Sequence, residues 1–158
     1  MGKIMDERTT SQPSYCFHGG YERAVDAKGR FNLPFRFRRS GEEAGAERYV
    51  VMKGPDGQLA LLPEEVFEAA FTRLREGEPS RDKRAVLRKI SAGSCVLEPD
   101  SQGRVAVPLE MLAMVGITKR VYVVGMADRM ELFDPERYAI IESALGDNDP
   151  AYLDTFLS

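Results

Sequence analysis

The stretch from residue 26 to residue 38, DAKGRFNLPFRFR, is written a second time seventy-four residues later as DSQGRVAVPLEML. Asp26, Gly29, Arg30 and Pro34 fall on Asp100, Gly103, Arg104 and Pro108. This repeat constrains the fold more than any composition does. Each half is roughly 50 residues of the same plan, and the length allows one domain or two small ones. The copies continue downstream. VVMKGPDGQLALLPEEVF from Val50 parallels VYVVGMADRMELFDPERY from Val121, in an alignment that sets Leu61 over Phe133 and Pro63 over Pro135. The closer spacing there leaves the stretch around SGEEAGAER as extra loop in the first half.

Within each half, short β-rich runs alternate with Gly, Pro and Asp. YERAV, RFNLP, YVVMK and LALLP answer to CVLEP, RVAVP, VYVVG and MELFD, which predicts four short strands per half. Each half then closes on a helix. One is PEEVFEAAF, starting at Pro63, and the other is DPERYAII, with Asp134 as N-cap and Pro135 at the first position. Between the halves Ser80 caps a further helix, RDKRAVLRKI. Its Val86, Leu87 and Ile90 form an apolar stripe, with Arg81, Lys83, Arg84 and Arg88 toward solvent. The pattern predicts a β-rich α+β fold.

With 158 residues, 43% of them hydrophobic, the chain can bury a core of its own. No run of about 18 apolar residues occurs, and the opening MGKIMDERTTSQPS lacks the apolar centre of a signal peptide. A cytoplasmic protein with no membrane partner is expected. The formal charge of −3 hides an asymmetry along the chain. Tyr15 to Ser40 holds six basic residues against two acids, and Arg73 to Lys89 holds seven against three. Glu131 to Ser158 holds one arginine against seven acids. A basic face for a polyanion and an acidic face can coexist on such a fold.

Enzyme classes find little support. His18 is the sole histidine, and the chain has no Gly-rich phosphate loop, paired catalytic carboxylates or Ser-His-Asp set. Cys16 and His18 supply two metal ligands where a site needs more. No cofactor, metal or small-molecule substrate is expected. Cys16 and Cys95 lack a paired spacing and are expected as buried thiols.

In DAKGR and DSQGR the aspartate can accept amides within the turn, and glycine supplies the positive φ that reverses the chain. Asp26, Gly29, Asp100, Gly103 and Arg104 are therefore read as turn-forming. The first copy differs in charge: Lys28 and Arg30 sit in the turn, Arg36 and Arg38 follow, and Arg23 precedes it. A projecting turn with such side chains suits insertion beside phosphates and base edges, so Lys28, Arg30, Arg23, Arg36 and Arg38 are the DNA-binding candidates. Arg104, close to Asp100 and Glu98, is expected to serve an ion pair within its turn.

Two Asp-x-x-Gly-Arg turns, each followed after three residues by proline and trailed by two strands and a helix, resemble the MraZ family. These are bacterial transcriptional regulators of the cell-division and cell-wall gene cluster. The likeness rests on VDAKGRFNLPFRFR, DSQGRVAVP and VGI, and covers roughly Tyr15 to Leu145. It implies two tandem AbrB-like swapped-hairpin halves that form one pseudo-twofold β-barrel, with helices after each half. It further implies a closed ring homo-oligomer, nucleoid-associated, that binds direct repeats of double-stranded DNA in its own promoter and represses that cluster. The organisation expected is a flexible arm over 1–14, a first repeat with its helix over 15–79, a linking helix over 80–93, a second repeat with its helix over 94–146, and a variable acidic tail over 147–158. Leu112 stands where the family often places arginine, which makes the second half less suited to DNA. The alternative on the same resemblance is an AbrB or MazE-type antitoxin that binds DNA and a toxin partner, with the partly apolar DPAYLDTFLS as its contact segment.

Overall fold

The computed structural model describes residues 16–34, 47–144, 146 and 149–158. The arm expected over 1–14 and the candidates Arg36 and Arg38 lie outside the described residues. Strand β1 (Gly20–Ala24) leads through a turn into β2 (Arg30–Asn32), and β3 (Tyr49–Lys53) folds back on β4 (Leu59–Pro63). Helices α1 (Glu64–Arg75) and α2 (Arg81–Ala92) follow. The second half repeats the plan as β5 (Cys95–Leu97), β6 (Arg104–Ala106), β7 (Arg120–Gly125) and β8 (Met130–Phe133). A short α3 (Leu109–Met114) follows β6, α4 (Pro135–Ala144) follows β8, and a last helix, α5, spans Asp149–Leu157. Every run read as a strand contains one, whereas neither α3 nor α5 is announced by the sequence pattern.

Six strands form one antiparallel sheet in the order β1-β7-β8-β4-β3-β5, while β2 and β6 form a separate two-stranded ribbon. The order reads the same when the halves are exchanged. The outer pairings cross between the halves: β1 lies on β7 and β5 lies on β3. Their registers also correspond, with Arg23 opposite Val121 as Leu97 is opposite Tyr49. One chain therefore contains two hairpin units that have exchanged their first strands.

The ladders among the described residues do not make up a closed barrel. Among the described residues the ribbon shares no ladder with the sheet, and β1 and β5 remain its edges. The turn-closing bond from Asp26 N–H to Arg30 O reverses the chain. Phe31 and Val105 then stack into the core, 2% and 0% exposed, so the ribbon joins the sheet through side chains rather than hydrogen bonds. The hairpins also correct the repeat alignment by one residue. Lys53 faces Leu59 across five residues, but Gly125 faces Met130 across four. Leu62, not Leu61, is thus the counterpart of Phe133, and the matched prolines had drawn the alignment out of register.

The core joins Phe31, Leu33, Val105 and Val107 to Val51, Leu59, Leu61, Val121, Val123, Met130 and Leu132 of the sheet. Each such side chain contributes about 1.5–3 kcal/mol through burial. Leu112 belongs to this core, so the position read as a missing DNA arginine is a packing position. Helices α1 and α2 pack on each other and bury no residue of either. Ser80 Oγ caps α2 by accepting Lys83 N–H at 3.0 Å, and Asp134 accepts Arg137 N–H at 3.2 Å. Tyr138 fixes α4 against Tyr122 of β7, with ring centroids 4.5 Å apart. Contrary to the expectation of buried thiols, Cys16 is exposed and Cys95 half-buried, because both lie at the rim of the sheet rather than inside it. No described helix is long and apolar enough to cross a membrane.

Candidate nucleic-acid interface

The two repeated turns have the same internal geometry. Asp26 Oδ1 accepts the amides of Lys28 and Arg30, each at 2.9 Å, and Oδ2 accepts Arg30 Nε at 2.7 Å. Asp100 accepts the amides of Gln102 and Arg104 at 2.9 Å and Arg104 Nε at 2.8 Å. Gly29 and Gly103 take φ of 81° and 79°, a left-handed conformation that glycine adopts at little cost. Each turn is also clamped by the opposite half. Val107 N–H donates to Gly29 O at 3.0 Å, and Leu33 N–H donates to Gly103 O at 3.2 Å. A Cβ on Gly29 would stand 2.4 Å from Val107 O.

These donors stabilise the charged carboxylates. The Arg30 amide first, then the Arg30 guanidinium, hold Asp26 below the ordinary 3.8, at about 2. Asp100 is lowered as well, chiefly by the Arg104 amide.

Arg30 pairs in register with Ala106, Phe31 with Val105 and Asn32 with Arg104. Side chains alternate along a strand, so with Phe31 and Val105 in the core, Arg30, Asn32, Arg104 and Ala106 share the outward face. Both turn arginines therefore occupy one face of one ribbon, on opposite strands. A two-stranded ribbon has a width that the major groove of B-DNA admits.

The division of labour expected between Arg30 and Arg104 is absent from their local geometry. Arg30 makes the ion pair foreseen for Arg104, and their side chains are 36% and 31% exposed. What separates the turns is Lys28, exposed where the second turn carries an exposed Gln102. Arg23 stands apart on β1, its guanidinium 5.4 Å from the Tyr21 ring centroid and donating to Glu22 O at 3.1 Å.

Sequence reasoning missed Asn32, which sits beside Arg30 on the outward face and was signalled by period-two alternation. It also missed two arginines that join the halves. Arg48 bridges Glu64 at 2.9 Å and Glu98 at 2.6 Å, and Arg120 pairs with Glu22 on the exchanged strand. Glu98 is thereby engaged by Arg48 instead of Arg104. Cys16 Sγ lies 3.0 Å from His18 Nε2. Among the described residues no three His, Cys, Asp or Glu side chains gather as a metal site.

Two strand-exchanged copies of one hairpin unit, presenting an arginine-bearing ribbon, define a tandem repeat protein built as a dimer within one chain. The family described as "MraZ protein, putative antitoxin-like" matches it twice, over residues 16–89 and 90–151. The Transcriptional regulator MraZ of Acetivibrio thermocellus is 34% identical over 134 residues, covering 84% of this chain and 89% of that protein. That of Corynebacterium jeikeium is 35% identical over 146 residues, covering 89% of this chain and 99% of its own length. That of Caldicellulosiruptor bescii is 37% identical over 123 residues, covering 76% and 82%. The chain belongs to the MraZ family, a family of transcriptional regulators and not of enzymes.

Proposed function

We propose that this chain regulates transcription by binding double-stranded DNA through the outward face of the β2–β6 ribbon and its turns. Lys28 and Arg30 make the principal contacts, and Arg23, Arg36 and Arg38 contribute further positive charge to DNA binding. One observation carries this reading: two matching Asp–Arg turns lie on a single ribbon, on the side away from the core. Each aspartate engages Nε, and the four Nη hydrogens remain the donors for a ligand. A guanidinium held in this way loses less rotamer freedom when it meets a phosphate or the edge of a guanine. Because each aspartate offsets its own arginine, long-range attraction comes from Lys28 and the basic residues around it.

The operator is read as direct repeats in the promoter of the chain's own cell-division and cell-wall cluster, and the outcome as repression. Family membership supports both. Each chain already holds both halves of the pseudo-dimer, so assembly into a closed ring uses other surfaces, among them α1 and α2 with their half-exposed and exposed apolar residues. The test is an electrophoretic shift on the self-promoter fragment with Lys28→Ala, Arg30→Ala and Arg104→Ala. Losing a base or phosphate contact of this kind costs about 1–3 kcal/mol per subunit, and a multivalent assembly multiplies the loss. If the Arg30→Ala, Arg104→Ala double variant, still folded and assembled, binds like the parent, the ribbon is not the DNA-binding face.

A further inference from the structure

The β2–β6 ribbon is symmetric in its turn arginines and asymmetric in the residues beside them. Its register makes the outward face a patch of four side chains, with Arg30 opposite Ala106 and Asn32 opposite Arg104. Exchanging the two halves puts Arg30 on Arg104 and Asn32 on Ala106. The arginines survive this exchange unchanged. Each is held through Nε by the aspartate of its own turn, at 2.7 Å and 2.8 Å. They offer the same donors to a duplex lying in either direction, so they do not tell one direction from the other.

Asn32 and Ala106 do differ, and both are exposed. Arg104 stands directly across the ribbon from Asn32, yet among the described residues the Asn32 carboxamide makes no hydrogen bond. A carboxamide presents a donor and an acceptor side by side, the complement of adenine N7 and N6 in the major groove, whereas a methyl group presents neither. Asn32 follows Arg30 by two residues on one strand, a rise of about 6.4–6.8 Å. With the ribbon lying along the groove, that separation is about two base-pair steps. The two side chains therefore meet different base pairs instead of competing for one. The turn tips differ as well, Lys28 against Gln102, but the lysine ammonium is a point charge suited to phosphate.

We propose that Asn32 is the specificity-determining residue of the ribbon: it reads an adenine edge beside the contact made by Arg30, and Ala106, in the pseudo-symmetric place, leaves the matching base unread. A two-fold binder selects a palindrome, because each half reads the same bases. A ribbon with a single asparagine selects one adenine and not its mirror image. Each chain then lies on the duplex in one direction. The inference rests on the DNA-binding reading proposed above and supplies the base that this reading leaves open.

Selection of bound sequences from a randomised duplex library by the full chain, followed by anisotropy titration of the enriched duplex and its single-pair variants, tests it. The parent is expected to enrich an asymmetric site with one specified A·T pair. Replacing that pair by G·C lowers affinity about 5- to 150-fold, the range of a bidentate base contact. Asn32→Ala binds both duplexes equally, with the melting midpoint unchanged because the side chain it removes is exposed. Ala106→Asn completes the two-fold and enriches a palindromic site with adenine on both sides. A parent that enriches a symmetric site, or no site, overturns the inference. So does an adenine preference that survives Asn32→Ala, whether or not Gln102→Ala removes it. If the Arg30→Ala, Arg104→Ala double variant enriches the same site as the parent, the ribbon is not the reading face and both readings fall together. If the double variant loses the site while Asn32→Ala keeps it, the role of Asn32 falls alone.

Discussion

Asp26 meets its arginine inside a turn whose amides already favour the carboxylate, and this order of causes gives the pair an acid limit. Its folded value, about 2, lies below the ordinary 3.8, so its stabilisation is fully present above the ordinary range and is lost as pH falls through about 2. Melting followed from pH 5 down to 2 should show a decline that is shallower in Asp26→Asn, with Asp100→Asn altering the curve in the same direction. DNA binding distinguishes two views of this aspartate. If it only adds negative charge, Asp26→Ala tightens the complex. If it aims Arg30, as the 2.7 Å bond to Nε suggests, the variant loses preference for the operator over unrelated DNA in a competition assay. Gly29→Ala should cost more than the roughly 1–2 kcal/mol of a left-handed alanine, because the new methyl meets Val107 O, and chemical denaturation measures it. The turns were legible in sequence because Asp and Gly have few other uses at that spacing. The ion pair of Arg30 with Asp26 was not read, because a count of positive charges says nothing about which of them already has a partner.

The ribbon and the helices divide the stabilising work differently. Phe31→Ala should cost about 3–5 kcal/mol, as expected for an aromatic side chain buried between ribbon and sheet. Ser80→Ala should cost about 1 kcal/mol through the lost cap, and lower the melting midpoint by about 2–4 °C. Strands were readable because alternation and Gly or Pro punctuation are local signals. Helix α3 was not, since six residues are too few for a helical period to emerge. Helix α5 was hidden by its acids, which made it read as a solvated tail. The separation of the β2–β6 ribbon from the six-stranded sheet was unreadable for a different reason: which strand lies beside which is decided by contacts distant in the chain. Leu112 shows the same limit, because its burial depends on Gly29 and the opposite half.

At the scale of the whole molecule, a formal charge of −3 coexists with a DNA-binding role only if binding is local and salt-sensitive. The logarithm of affinity should fall with the logarithm of salt by about 0.9 per phosphate neutralised, summed over all engaged subunits. Fluorescence anisotropy at graded potassium chloride measures that slope, and a flat line excludes phosphate neutralisation as the driving term. The exchange of first strands also sets a schedule for biosynthesis. The partner of β1 is translated on the order of 100 residues later, about 5–20 s at ordinary rates of elongation, so the nascent first half waits with its apolar surface uncovered. A gene split after Ala92 should yield two fragments that are unstructured when made singly and that rescue each other when made together.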